Sequence, residues 1–270
     1  MSSKRAVELR VFVQMCWSGA LAWLAMAFAA VALLYSSVGF GGGSSYTALL
    51  ILFGTPVLLV PVISLACNLT VTSAGVWRCW RSGLYANSNA APILALSVPA
   101  AFLGGLTPIS EDRLILLLGC GLLLAGLQLG WTSIRPPAEN GTARSSLPRW
   151  AAPLIGAGVG YVSGLVGIGG GIFLAPILHF VRWAPPRIIA ALSSAYIAAN
   201  SLAAIVGKSM ALPEDVRLSE ILAHWPLLAA VLVGSWLGHR LLLGRFPERT
   251  IKSLTAVLIL FVAIRLLATA

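Results

Sequence analysis

Residues 36–50 read SSVGFGGGSSYTALL, and residues 163–178 read SGLVGIGGGIFLAPIL. Each stretch places a cluster of glycines directly after a long apolar segment, and a shorter apolar segment follows the glycines. Consecutive glycines favour an interruption of a helix, because glycine loses more conformational freedom in a helix than any other residue. Two such interruptions in matching positions predict a chain built from two similar halves.

The two stretches belong to a chain that is too apolar for a soluble domain. Of its 270 residues, 59% are hydrophobic and 10% are charged, whereas soluble domains carry roughly 45–50% and about 25%. Crossing a bilayer takes about 20 apolar residues, and backbone in lipid must be helical to pair its polar groups. The sequence therefore predicts an all-α polytopic membrane protein with eight spans, at 15–38, 56–76, 90–106, 114–131, 151–166, 188–206, 221–237 and 251–267.

A long hydrophilic segment, residues 133–149 (SIRPPAENGTARSSLPR), divides the chain almost in half. We predict a first transmembrane repeat at residues 1–132, this linker, and a second transmembrane repeat at residues 150–270. Each repeat holds four spans with a broken or re-entrant element at its glycines, at 39–45 and 167–172. Internal repeats of this kind are typical of transporters, and the sequence leaves open whether the repeats are parallel or inverted.

The net charge of +10 has a simpler explanation than nucleic-acid binding. The basic residues lie between the apolar runs, as the positive-inside rule requires. With eight spans and the N-terminus inside, eleven of the 18 Lys and Arg residues fall in inside segments, which favours cytoplasmic termini. The four cysteines show neither C-x-x-C nor zinc spacing, and no cleavable signal peptide is expected.

The glycine clusters match neither of the two common phosphate-binding motifs. GFGGGSS lacks the G-K-[ST] ending of a P-loop, and its sixth position breaks the dinucleotide fingerprint. Close helix packing is one alternative. We favour a half-helix that starts at each cluster, because a short apolar stretch, residues 44–53 or 172–180, follows the glycines and ends before a Pro region. The positive dipole ends of two facing half-helices form an anion site.

Buried polar residues of the following spans predict the rest of this site. Asn68 forms a polar stripe with Ser64 and Thr72, and Asn200 shares a face with Ser193 and Tyr196. Hydrogen bonding between helices is the alternative for both stripes. The predicted substrate-binding residues are Gly41, Gly42, Gly43, Ser44, Ser45, Asn68, Gly169, Gly170, Gly171, Ser194 and Asn200. Ser44 and Ser45, which have apolar counterparts in the second half, lead us to expect more hydrogen bonds from the first half.

The placement of ionisable residues favours an anionic or neutral substrate. All eight acidic residues fall in loops or at predicted helix ends, with Glu220 the nearest to a span interior. We therefore expect no buried carboxylate to relay protons, so transport is passive, driven by the membrane potential, or coupled through His or the substrate's own proton. No cluster has metal-ligand spacing, and we predict no metal, cofactor or catalytic residue.

The paired glycine stretches, with a mid-helix Asn in the next span of each half, resemble the sulfite exporter TauE/SafE family over residues 21–267. The resemblance implies a multi-pass permease of the bacterial inner membrane that exports sulfite, sulfoacetate or a related sulfur anion, with its site at the glycine segments. It implies membrane lipid and a small anion as partners, and it leaves a homo-oligomer open. The alternatives are a permease for another small anion, an intramembrane enzyme and a scaffold.

Overall fold

The computed structural model describes residues 21–36, 41–83, 90–134, 150–181, 183–211, 224–241 and 248–269, and these residues form ten α-helices. The helices are α1 (Leu21–Ser36), α2 (Gly43–Leu52), α3 (Val60–Arg81), α4 (Ala90–Leu106), α5 (Glu111–Ile134), α6 (Ala151–Val166), α7 (Gly171–Phe180), α8 (Pro186–Ala211), α9 (Trp225–Leu241) and α10 (Glu248–Thr269). The start of the first predicted span, Gly39, the linker from residue 135 and Glu220 lie outside the described residues.

Every predicted apolar run contains one helix, so the all-α polytopic membrane fold is confirmed. Three of the helices are long and apolar enough to cross a bilayer: Val60–Arg81, Asp112–Ile134 and Ile188–Ala211. The outward faces carry exposed large apolar side chains, for example Leu124 on α5 and Phe261 on α10. Such a surface suits lipid and not water, and the chain is a multi-pass membrane protein.

The two predicted glycine breaks are confirmed. Helix α6 ends at Val166, and four non-helical residues separate it from α7. In the first half, the described Gly41 and Gly42 are non-helical and precede α2. Both α2 and α7 have 10 residues, which makes each about 15 Å long, half the thickness of a hydrocarbon core.

The second five helices repeat the order of the first five, with opposite direction. The short α7 follows α6 as α2 follows α1, and α4 and α9 both have 17 residues. Helix α5 runs antiparallel to its counterpart α10, since Gly119 faces Leu267 and Gly130 faces Ala256. Helix α3 likewise runs antiparallel to α8, since Gly75 faces Ser194 while Asn68 lies with Ser201 at Gly169. This is the geometry of an inverted repeat, while the division at residues 133–149 stays a prediction.

The halves interlock through small residues. On α6, Gly156, Gly160 and Gly164 recur every four residues and lie against α4. A Cβ on Gly160 would lie 2.7 Å from the Ser97 carbonyl oxygen, so only glycine permits this close approach, as in other membrane helix pairs. At the corresponding interface between the halves, α9 packs on α1 at Gly234 in the same way. These contacts place α3 and α8 side by side between the two breaks.

Candidate binding site

The first glycine break starts α2 directly against the other half of the protein. Gly42 adopts a left-handed conformation (φ +79°), and its carbonyl oxygen accepts two hydrogen bonds of 3.0 Å from the N–H groups of Ser45 and Tyr46. A Cβ built on Gly43 would overlap Nδ2 of Asn68 and the carbonyl oxygen of Ile168. Position 43 therefore has no room for a side chain.

The second glycine break starts α7 in a similar way. Gly167 ends α6 by donating its N–H to the Ser163 carbonyl oxygen at 2.7 Å. Gly169 and Gly170 are left-handed, with φ of +85° and +70°. The Gly170 carbonyl oxygen then accepts two N–H groups from the first turn of α7, each at 3.1 Å. L side chains rarely adopt these left-handed conformations, which explains the glycines.

The two breaks meet at Asn68 of α3. Its Nδ2 donates to the carbonyl oxygen of Ile168 in the second break, at 3.0 Å. A Cβ on Gly41 would lie 2.7 Å from Asn68 Oδ1, and a Cβ on Gly169 would lie 2.7 Å from Asn68 Nδ2. One buried amide side chain therefore separates the two breaks and holds one of them by a hydrogen bond.

This meeting point is electrostatically favourable for an anion. Both half-helices begin here, and helix N-termini carry partial positive charge. Among the residues that the structure describes, the acidic ones are Glu111, Asp112 and Glu248, all in the first turns of α5 and α10. One predicted donor is already used, because the N–H of Gly171 donates to the Gly169 carbonyl oxygen at 3.0 Å.

The hydroxyl groups near the first break are bonded to one another and to the backbone. Ser45 Oγ donates to Tyr35 Oη at 3.2 Å, and Ser64 Oγ donates to the Gly43 carbonyl oxygen at 2.9 Å. Thr47 Oγ1 donates to Ser64 Oγ at 2.9 Å, and Thr72 Oγ1 donates to the Asn68 carbonyl oxygen at 2.7 Å. The predicted stripe on α3 thus holds the start of α2 in place. Ser44 is also buried.

The predicted residues of α8 do not all reach the breaks. Asn200 Oδ1 accepts a hydrogen bond of 3.0 Å from Ser97 Oγ of α4. Ser194 lies elsewhere on the helix, where its hydroxyl donates to the Ala190 carbonyl oxygen at 3.2 Å and packs near Gly75 of α3. The structure brings the predicted glycines and Asn68 together at the breaks, and Ser44 and Ser45 lie in the first turn of α2.

The sequence-based pairing of Asn68 with Asn200 is corrected by the contacts. A Cβ on Gly43 would overlap Asn68, whereas a Cβ on the corresponding Gly171 would overlap the side chain of Ile197. Ile197 therefore takes the place of Asn68 in the second half, and Asn200 lies almost one helical turn further along. The two Asn residues are not equivalent, because an offset of three residues displaces Asn200 by about 4.5 Å along the helix axis and by about 60° around it.

Sequence reasoning missed Ser163, Ser201 and Tyr46. Within the described residues, five buried side-chain atoms have no hydrogen-bond partner: Tyr46 Oη, Asn68 Oδ1, Ser163 Oγ, Asn200 Nδ2 and Ser201 Oγ. Leaving such a group unpaired costs about 1–3 kcal/mol. Four of these residues, Tyr46, Asn68, Ser163 and Ser201, lie next to glycines of the breaks, so they indicate a ligand-binding site. A search for polar residues within one or two turns of each glycine cluster would have found Ser163 and Tyr46.

The described part of the chain holds no group of three His, Cys, Asp or Glu side chains that could bind a metal ion. His224 is buried at the start of α9. The expected absence of metal, cofactor and catalytic residues stays a prediction. What the site offers chemically is a set of uncharged hydrogen-bonding groups.

Comparison with known proteins agrees with this architecture. The family model for the sulfite exporter TauE/SafE matches residues 24–266. The chain is 34% identical over 221 residues to the "Probable membrane transporter protein y4hK" of Sinorhizobium fredii (strain NBRC 101917 / NGR234), covering 81% of this chain and 88% of that protein. No solved structure matches the chain significantly.

Proposed function

Because the chain belongs to the sulfite exporter TauE/SafE family and is a membrane transporter, we propose that it carries a small sulfur oxyanion, either sulfite or a sulfonate such as sulfoacetate. We propose that it exports this anion across the bacterial inner membrane. The observation that carries the proposal is the meeting of two half-helices at Asn68, beside buried polar groups that lack partners.

The chemistry of the site suits a sulfur oxyanion. A sulfite or sulfonate head presents three oxygen atoms, which are satisfied by several converging donors. Hydroxyl and amide groups donate hydrogen bonds without placing a permanent positive charge in the site. The two helix N-termini add partial positive charge without a buried Arg or Lys at the breaks.

Uncharged donors also suit release of the cargo. A hydrogen bond to a charged group contributes about 1.5–3 kcal/mol, so a few of them give moderate affinity. A carrier that bound its anion through a buried ion pair would release it slowly. The absence of a full countercharge among the described groups at the breaks therefore supports transport over storage or sensing.

The inverted arrangement supports a carrier cycle. When corresponding helices run in opposite directions, the two halves can exchange their conformations. This exchange exposes the same site first to one side of the membrane and then to the other. The breaks lie where α3 and α8 meet, which is the interface that such a movement changes.

An intramembrane enzyme is the less favoured alternative. It would need a nucleophile activated by a base or a metal. The candidate nucleophiles Ser45 and Ser194 instead donate to Tyr35 Oη and to a backbone carbonyl oxygen. These bonds provide no general base.

Counterflow in proteoliposomes tests the proposal. Purified protein is reconstituted with unlabelled anion inside, and entry of radiolabelled sulfite is measured against competition by sulfoacetate, taurine and sulfate. We expect sulfite or sulfoacetate to exchange, and Ser73→Ala, which changes an exposed residue of α3, to behave as wild type. Exchange of none of these sulfur anions by folded, inserted protein would reject the proposal.

A further inference from the structure

The two glycine breaks are alike in backbone but differ in their free hydrogen-bond donors. We propose that the second break binds the oxyanion, through a donor set formed by Ser163 Oγ, Ser201 Oγ and Asn200 Nδ2, while the first break is structural. This inference rests on the proposed transport of a sulfur anion, and it assigns the binding contacts to residues of one half.

Two members of the donor set lie at adjacent glycines of the second break, and the third, Asn200, directly precedes Ser201 on α8. A Cβ on Gly170 would lie 3.0 Å from Ser163 Oγ, and a Cβ on Gly169 would lie 3.4 Å from Ser201 Oγ. Ser163, Asn200 and Ser201 are 1%, 1% and 0% exposed, and the three donor atoms have no partner among the described residues. Buried donors of this kind require an acceptor, and an anion at the break provides it.

Ser97 of α4 orients the amide of the donor set. Its hydroxyl donates to Asn200 Oδ1 at 3.0 Å. The Ser97 hydroxyl has a second acceptor in the Leu94 carbonyl oxygen at 3.4 Å, and the orientation of the amide follows the shorter bond to Asn200. Asn200 Nδ2 therefore remains as the donor end of the amide, beside the Tyr196 hydroxyl, which donates to the Gly156 carbonyl oxygen. Ser97 is a positioning residue that need not touch the anion.

The corresponding positions of the first half have no free donor. Gly41 contacts Thr72 where Gly169 contacts Ser201, but the Thr72 hydroxyl donates to the Asn68 carbonyl oxygen. Eight residues before Gly171 lies Ser163, and eight residues before Gly43 lies Tyr35, whose hydroxyl bonds with Ser45 and is not among the unpartnered buried atoms of the described residues.

The counterpart of Asn200 in the first half is Val71, which has no polar side chain. The contacts at Gly41 and Gly169 pair Thr72 with Ser201. The residues directly before them, Val71 and Asn200, therefore also correspond. No counterpart in the first half therefore offers a free donor to an anion.

Two unpartnered groups remain in the first half, and neither favours anion binding there. Asn68 Oδ1 is an acceptor, which repels an oxyanion. Tyr46 Oη is a donor, and the ring carbon Cζ would lie 3.3 Å from a Cβ on Gly42. The ring, however, stacks on Phe28 with ring centroids 4.7 Å apart, inside an apolar cluster that includes Leu24 and Leu50. The expectation from the sequence that the first half offers more hydrogen bonds is therefore not supported, because its hydroxyls bond mainly within the protein.

Matched variants in the two halves test the inference. We would measure the KM for sulfite counterflow with Ser163→Ala and Ser201→Ala, and compare Tyr35→Phe and Thr72→Val. One lost hydrogen bond to a charged group corresponds to roughly a 10- to 100-fold loss of affinity. We expect each second-half variant to raise the KM by that factor and each first-half variant to raise it by less than about threefold.

A stability measurement separates binding from folding. Each Ser→Ala change removes a buried hydroxyl without a partner, so without substrate the melting temperature should stay equal or rise. Thr72→Val removes a bonded hydroxyl and should lower it. Ser97→Ala should raise the KM, and Ser97→Thr, which keeps the hydroxyl, should recover most of the wild-type value.

The outcomes are distinct. If the wild type exchanges sulfite but Ser163→Ala and Ser201→Ala keep its KM, or if the first-half variants raise the KM equally, the second-break assignment is overturned and the proposed function survives. If the wild type exchanges no sulfur anion, the proposed function is rejected and this assignment with it.

Discussion

Gly43→Ala is the single-atom perturbation that best tests the meeting of the two breaks. The added Cβ would overlap Asn68 Nδ2 and the carbonyl oxygen of Ile168. The first neighbour can rotate, but the second is backbone of the opposite half and can move only if the break moves. The variant is thus expected to separate the two breaks and to weaken the Asn68–Ile168 hydrogen bond.

The magnitude follows from these two effects. Overpacking by one methyl group in a close-packed interior costs about 1–3 kcal/mol, and loss of a buried hydrogen bond adds about 0.5–1.5 kcal/mol. We therefore expect a destabilisation of roughly 2–4 kcal/mol. Each kcal/mol lowers the melting temperature of a chain of this size by about 2–4 °C.

Gly158→Ala is the matched control. Gly158 lies in α6, and no described atom lies within 4 Å of a Cβ built on it. Alanine is favoured over glycine in a helix interior by about 0.5–1 kcal/mol. This variant should be as stable as the wild type or more stable, with normal sulfite flux.

The assay is thermal unfolding of detergent-purified protein, followed by tryptophan fluorescence, together with sulfite counterflow. We expect Gly43→Ala to melt well below Gly158→Ala and to transport little sulfite. A Gly43→Ala protein with wild-type stability and wild-type flux would refute the contact between the breaks.

Three further predictions concern the transport activity. Asn200→Ala should weaken sulfite binding roughly 10- to 100-fold, read from the KM of counterflow, while Asn140→Ala in the linker should change nothing; an unchanged KM would argue for a packing role of Asn200. Asn68→Ala, which loses the hydrogen bond to the Ile168 carbonyl oxygen, should lower the melting temperature. Gly171→Val should abolish flux in inserted protein, because its side chain would occupy the place of Ile197, and measurable uptake would contradict this. Sulfite flux should fall as pH rises through the near-neutral titration of hydrogensulfite, whereas methanesulfonate flux should not change with pH. The reason is that no described carboxylate lies beyond a first helical turn. A parallel fall of both fluxes would assign the titration to the protein.

Much of the candidate site could be predicted from local sequence. The glycine clusters, the half-helices that follow them and the buried Asn68 all appear where the sequence places them. Ser194 shows the limit of this reasoning, because a serine in the right helix lies next to Gly75 and away from the breaks. Which face of α8 meets the second break depends on the rotation of that helix, and no local pattern specifies it.

The sequence by itself determined the membrane class, the eight apolar spans and the two breaks. The physical reason is local: apolar length sets the spans, lipid enforces helices, and consecutive glycines interrupt them. Only the tertiary structure decided that corresponding helices run in opposite directions, that Ile197 and not Asn200 takes the place of Asn68, and that Ser163, Asn200 and Ser201 keep unpartnered donors in the second half. A hydroxyl is free or bonded according to which neighbour lies within hydrogen-bond distance, and in this protein those neighbours come from helices far apart in the chain.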